Sequence, residues 1–172
     1  MSTRPSIDVS IIIVSWNVAD LLRSCLESIL NSTDVCFDDS ASGHNILTEI
    51  IVVDSASNDN TVSMITTEFP HVTLLAQTEN VGFTQGNNIG FAHANGRYHF
   101  LLNPDTEVMH DTISRMVNYL EDQPDVGILG PHTLNTDGTT QSSRRRFPTI
   151  AVGFFESTWL QSFAPKSLLN TY

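Results

Sequence analysis

Residues 9–14, VSIIIV, narrow the possible folds more than any other stretch of the chain. β-Branched side chains favour extended backbone, and a strand with one wet face would alternate apolar with polar residues. Here Val9, Ile11 and Ile13 on one face and Ile12 and Val14 on the other are all aliphatic, so both faces need cover. Burial on both faces is the habit of parallel sheets clad by helices. Similar runs follow at residues 50–53 (IIVV), 72–75 (VTLL), 98–102 (YHFLL) and 126–130 (VGILG), which gives five predicted strands. Between them the apolar period changes from two to about 3.6. Val18, Leu21, Leu22, Cys25, Leu26, Ile29 and Leu30 form one helical stripe, Val62, Ile65 and Phe69 a second, and Ile113, Met116, Val117 and Leu120 a third. Asn17 is the expected N-cap of the first helix, with Asp20 in its first turn, and Asn58 or Asp59 that of the second. Pro70 and Pro124 mark helix stops. Strand and helix in alternation imply right-handed crossovers and an α/β fold, a mostly parallel sheet flanked by helices.

Three segments stand out against that rhythm. Residues 31–45 (NSTDVCFDDSASGHN) are polar, acidic and rich in turn formers, so a surface loop is expected, with Asp38 and Asp39 solvated. Gly82, Gly86 and Gly90 recur at intervals of four. Helical glycines cost about 1 kcal/mol each relative to alanine, so close approach of this backbone to a sheet or a ligand is expected. Beyond Pro131 the alternation ends. Residues 1–143 read as one ligand-binding α/β domain. Residues 144–172, with the basic triplet Arg144, Arg145 and Arg146 and the aromatics Phe154, Phe155, Trp159, Phe163 and Tyr172, read as a tail leading toward another element.

Open parallel sheets bind ligands beyond the carboxyl ends of their strands. Ser15, Trp16 and Asn17 follow the first run, Asp54, Ser55 and Ser57 the second, Asn80 and Gly82 the third, and Asn103 and Asp105 the fourth. A lone acid behind Pro104 is ordinary turn chemistry. Four polar strand ends on one edge point instead to a ligand site. A magnesium-like cation takes one or two protein carboxylates and completes its shell with water and phosphate oxygens. Asp105 with Mg²⁺ or Mn²⁺ therefore suits a nucleoside diphosphate, and Asp54 suits an N–H of a base. The phosphate-binding patterns G-x-G-x-x-G and G-x-x-x-x-G-K-[ST] are both missing, as are H-E-x-x-H, C-x-x-C and G-x-S-x-G. With 19 acidic against 8 basic residues and a net charge of −11, binding of nucleic-acid backbone is excluded as the main role. No run reaches the roughly 20 apolar residues of a membrane span, and the first ten residues lack the apolar core of a signal peptide. Cys25 and Cys36 have no metal-ligand spacing, so reduced thiols in a cytoplasmic protein are expected, and the sequon Asn31-Ser32-Thr33 then carries no glycan.

Five ordered blocks, VSIIIVSWN, IIVVDSASNDNT, NVGFTQGNNIGF, FLLNPDTEV and LNTDGTTQSSRRRFPT, cover about residues 8–149. Together they resemble the family 2 glycosyltransferases, and most of all the rhamnosyltransferase-like branch that works on cell-surface polysaccharide. The resemblance implies a GT-A (Rossmann-like) fold, a nucleotide-diphosphate sugar linked to dTDP or UDP, a divalent metal (Mg²⁺ or Mn²⁺) and inversion at the anomeric carbon. Carried over by position, Val14, Ser15 and Asn17 would lie at the nucleobase and Asp54 at the base or ribose. Asp59 would contact the ligand or cap a helix, and Asn80 and Gly82 would border the donor. Asn88 matches the helix asparagine of the third block, Asn103 stands where the metal motif often has its first acid, and Asp105 matches its last acid and would hold the metal. Asn87 occupies a position that is often arginine, which shifts phosphate neutralisation onto the cation. The family's general base, an acid downstream of the donor half, finds no match before Tyr172 and is expected beyond it.

The expected function is donor binding and transfer of a sugar to a hydroxyl of a saccharide or lipid-linked acceptor, in the cytoplasm or at the inner face of the membrane by peripheral association. One alternative is a non-catalytic nucleotide-sugar-binding module, or an inactive fragment lacking the general base. Another, a nucleotidyltransferase, ranks lower because residues 13–17 show no Gly-rich basic loop.

Overall fold

The computed structural model describes residues 7–37 and 45–141. The chain divides into two compact units, Met1–Leu129 and Gly130–Tyr172. The first holds β1 (Val9–Ser15), α1 (Ala19–Leu30), β2 (Val35–Cys36), β3 (Ile46–Asp54), α2 (Thr61–Glu68), β4 (Thr73–Ala76), α3 (Gly82–His93), β5 (Tyr98–Leu102) and α4 (Thr112–Asp122). In the second, Leu134 and Thr140 form an antiparallel bridge over a turn in which Asp137 accepts hydrogen bonds from the amide and hydroxyl of Thr139. The tail at residues 144–172, with its arginine triplet and aromatics, lies outside the described residues, as do Asp38 and Asp39.

Every pairing between the named strands is parallel, as the aliphatic runs predict. β1 is central: Ile13 lies beside Val52 of β3 on one side and Leu102 of β5 on the other, so β1 and β3 end level at Ser15 and Asp54 and β5 ends two residues earlier. β2 and β4 pair different stretches of the far edge of β3. The chain builds outward from β1 through β3 to β4, then returns to the other side of β1 as β5. The reversal falls between β1 and β5, and at such switch points parallel sheets open a crevice at their carboxyl ends.

Both faces of the central strand β1 are covered, whereas His99 and Leu101 on one face of β5 stay exposed. Val9, Ile11 and Ile13 pack with Leu22, Cys25, Leu26 and Ile29 of α1, Met64 and Ile65 of α2, and Ile113 and Val117 of α4 in one buried cluster. On the other face α3 lies so close that a Cβ on Gly86 would sit 2.7 Å from Val14 Cγ1, and one on Gly90 2.4 Å from Ile12 Cγ2. The glycine spacing is thus explained by helix-to-sheet approach. Gly82 has a different reason, a φ of +72° with open space around its α-carbon.

Three expectations are corrected. Residues 126–130 are not a strand: Ile128 is 93% exposed, and among the described residues the segment pairs with no β-strand. An apolar run becomes a strand only where a ladder partner exists. The predicted loop at 31–45 contains β2, two residues too short to show any periodicity. The predicted N-caps shift by a residue or more: α1 has Val18 in place of Asn17 and α2 has Asn60 in place of Asn58 or Asp59, both without a side-chain cap bond, and Asn17 instead adopts a φ of +53° and faces the neighbouring loop.

Candidate functional site

The ends of β1 and β3 are interlocked. Asp54 is 1% exposed, and its carboxylate accepts the Ser15 hydroxyl at 3.2 Å, the Ser57 hydroxyl at 2.6 Å and the Ser57 amide at 2.9 Å. The Ser55 amide donates to the Ser15 carbonyl at 2.8 Å. One step further out, the Asn17 amide donates to Ser57 Oγ at 2.8 Å, and Asn17 Oδ1 accepts the Asn58 amide at 2.7 Å. Asn17 and Ala56, one after each strand end, are the two non-glycine residues with positive φ among those described. Asp59 finishes the lock: Oδ2 accepts the first amide of α1, Ala19 N–H, at 3.2 Å, and Oδ1 accepts the amide and hydroxyl of Thr61 at the start of α2. One side chain thus serves the amino ends of two helices.

β5 delivers a different loop to the other side of β1. The Thr106 amide donates to the Asn103 carbonyl at 3.2 Å, closing a turn with Pro104 and Asp105 at its centre. Proline presets the backbone for the first of those central positions. Asp105 and Glu107 are exposed. No hydrogen bond or ion pair links the Asp105 carboxylate, or the exposed side-chain amide of Asn103, to a described residue. Both are hard oxygen donors, which fits Mg²⁺ or Mn²⁺. Among the described residues no three His, Cys, Asp or Glu side chains cluster, so a cation here would take Asp105 and complete its shell from ligand and water. Cys25 of α1 lies beneath this turn. Burial first, and then the charges of Asp105 and Glu107, push its thiol up to about 12, which keeps it protonated and unreactive at neutral pH.

The third contribution is the start of α3. Asn80 Oδ1 accepts the Gly82 amide at 2.9 Å, fixing the turn into the helix. Gly86, Asn87 and Gly90 are buried against the sheet. Phe83 shares their stripe one turn nearer the start of the helix and is 60% exposed. Asn87 donates to the Phe83 carbonyl at 2.9 Å. Asn88 is exposed and stands roughly 200° round the helix from Gly86, so it is not brought to the crevice.

The strand order therefore brings Ser15, Asn17, Asp54, Asn80, Gly82, Asn103 and Asp105 to one sheet edge, while the exposed Asp59 bonds amides at the starts of α1 and α2. The Val14 side chain is taken up by packing under Gly86. Sequence reasoning placed Trp16, 54% exposed at the tip of β1, at the strand end without giving it a role of its own, and passed over Phe83. An aromatic residue set between polar neighbours immediately after a buried strand was the available signal for Trp16.

A parallel sheet of this order, with a cation-suited acid at its switch point, defines a ligand-binding α/β domain of the Rossmann-like kind. Residues 10–169 match Glycosyl transferase family 2, and the chain belongs to that family. It is 33% identical over 124 residues to the uncharacterized glycosyltransferase YibD of Escherichia coli (strain K12), covering 69% of this chain and 32% of that protein. It is 29% identical over 111 residues to the succinoglycan biosynthesis protein ExoO of Rhizobium meliloti (strain 1021), covering 64% of this chain and 29% of that one. Among solved structures, the mannosyltransferase PcManGT from Pyrobaculum calidifontis, in complex with GDP-Man and Mn²⁺, superposes with a TM-score of 0.56 at 28% identity, over 71% of this chain and 34% of that one. S. aureus TarS 1-349 gives a TM-score of 0.57 at 17% identity, over 68% of this chain and 33% of that one, a likeness of fold. The fold is that of the GT-A glycosyltransferases, and the chain spans about a third of the length of these relatives.

Proposed function

We propose that this chain is the donor-binding part of an inverting, metal-dependent glycosyltransferase of the rhamnosyltransferase-like branch. It takes a dTDP- or UDP-linked sugar and serves transfer to a saccharide or lipid-linked acceptor in cell-surface polysaccharide synthesis. The work is done in the cytoplasm, with peripheral association at the inner face of the membrane. Among the described residues no helix is long and apolar enough to cross a membrane.

The observation that carries the reading is the pairing of an interlocked β1/β3 edge with the exposed Asp105 carboxylate, unengaged among the described residues, across the switch point. Asp54, held by Ser15 and Ser57, sets the shape of the edge, and Trp16 offers a face on which a planar base can stack. Base stacking on an aromatic side chain is worth about 1–3 kcal/mol. Asp105, with Asn103 beside it, would hold the cation; when bound, the cation neutralises charge developing on the departing nucleoside diphosphate. Two solved structures of this fold hold nucleotide-linked sugars: PcManGT holds GDP-Man and Mn²⁺, and TarS 1-349 holds UDP-GlcNAc.

Calorimetric titration with UDP and dTDP, with and without Mn²⁺, tests the proposal. Asp105→Ala is expected to weaken metal-dependent nucleotide binding at least about tenfold, a loss of about 1.4 kcal/mol, and to leave metal-free nucleoside binding intact. Asp54→Ala is expected to weaken nucleoside and nucleotide alike, with or without metal. Unchanged affinity in Asp105→Ala would remove that residue from the site.

A further inference from the structure

We infer that Ser28 of α1 is a positioning residue for the cation-binding turn, fixing Asp105 from the far side of the sheet edge. The inference rests on the reading of Asp105 given above. Ser28 Oγ accepts the Val108 amide at 2.9 Å and donates its own proton to the Cys25 carbonyl at 2.7 Å. A serine hydroxyl has one proton; with that proton committed to the helix backbone, the oxygen is left oriented toward Val108. One turn earlier on the same helix, the Cys25 thiol points at the Asn103 carbonyl, with sulfur and oxygen 3.8 Å apart. That carbonyl also closes the turn around Asp105 by accepting the Thr106 amide.

The loop from Asn103 to Val108 is thus tied at both ends to one face of α1, and Val108 is buried in the same cluster as Cys25. Between the ties, Asp105 and Glu107 are exposed. A single-carboxylate cation site has little chelation to hold its geometry, so it depends on the ligand being presented in place beforehand. The Ser28 bond is the firmer of the two ties, because a sulfur donor at 3.8 Å is weak.

The test is Mn²⁺ affinity, measured by calorimetry on the full 172-residue chain saturated with UDP, with uridine binding without metal and thermal melting as parallel readouts. Ser28→Ala is expected to weaken Mn²⁺ about five- to tenfold, the effect of one lost hydrogen bond, while uridine affinity stays at the wild-type value. Ser28→Thr, which keeps a hydroxyl, is expected to restore the metal affinity. Ser24→Ala is the control: Ser24 bonds the Asp20 carbonyl on the same helix and makes no bond to the loop. Should Ser28→Ala fail to fold, Ser28→Cys, similar in shape but a poor acceptor, carries the same comparison. Unchanged Mn²⁺ affinity, or equal loss of Mn²⁺ and uridine together with a lowered melting temperature, would overturn the inference. Asp105→Ala in the same series separates the causes: if it too leaves Mn²⁺ affinity unchanged, the site reading fails; if it alone weakens Mn²⁺, only the role of Ser28 fails.

Discussion

Asp59 occupies a motif position suited to a ligand, yet its oxygens serve the amino ends of α1 and α2. Desolvation raises its pKa, but the Thr61 hydroxyl and amide and the Ala19 amide outweigh that and hold the carboxyl below the usual range. A carboxyl whose folded pKa is depressed stabilises the fold above its unfolded pKa, about 3.9. The contribution is lost as pH falls through the folded value. Asp59→Ala is therefore expected to lower unfolding free energy at about pH 7 by about 1 kcal/mol, the usual cost of a lost cap. Urea unfolding of both proteins should show the gap shrinking toward about pH 3; a gap that is constant with pH would mean the carboxylate charge plays no part. The sequence made half of this visible. A polar residue before a helical stripe is a cap candidate, so Asp59 could be proposed for α2. Its second helix, α1, lies 40 residues back and belongs to tertiary structure. The same reason hid the true partners of Asn17: its positive φ and its bonds to Ser57 and Asn58 exist only because two strand ends meet.

Among the elements, α3 shows how far periodicity alone can be trusted. Gly86 and Gly90 in one helix signalled a close approach, and the surface approached turned out to be β1. Alanine at position 90 would gain about 1 kcal/mol of helix propensity. Its Cβ would meet Ile12 Cγ2 at 2.4 Å, on a fully buried β-branched side chain with no room to rotate. Overpacking of this kind costs about 1–3 kcal/mol. Gly90→Ala is expected to destabilise on balance, and Gly90→Ala combined with Ile12→Ala to lose less than the sum of the two single changes. Chemical denaturation reads both; a net gain from Gly90→Ala alone would show that α3 stands farther from the sheet. The run at residues 126–130 is the opposite lesson. Its composition resembles that of the buried strands, but composition does not supply a neighbour, and Ile128 remains exposed. β2 was missed for a complementary reason: two residues acquire strand geometry from pairing with Ile46 and Leu47, not from any pattern of their own.

For the molecule as a whole, the net charge of −11 makes an unassisted anion site at the sheet edge unfavourable, because a diphosphate would approach through a negative field. That is the physical reason a cation is central to the proposed function. Under the proposed function the site is also a joint one: the β1/β3 edge would recognise the nucleoside and β5 would supply Asp105, neither sufficing for an activated sugar. The first, second and fourth of the sequence blocks displayed these parts in order, and the fold pairs β1 with β3 on one side and β5 on the other. The most direct measurement is paramagnetic broadening of the Trp16 indole N–H resonance in a Trp159→Phe background, comparing Mn²⁺ with Mg²⁺ in the presence of UDP. Strong broadening with Mn²⁺ that disappears in Asp105→Ala is the expected result. A bound nucleotide with a sharp Trp16 signal, or broadening that persists without Asp105, would contradict a single shared crevice.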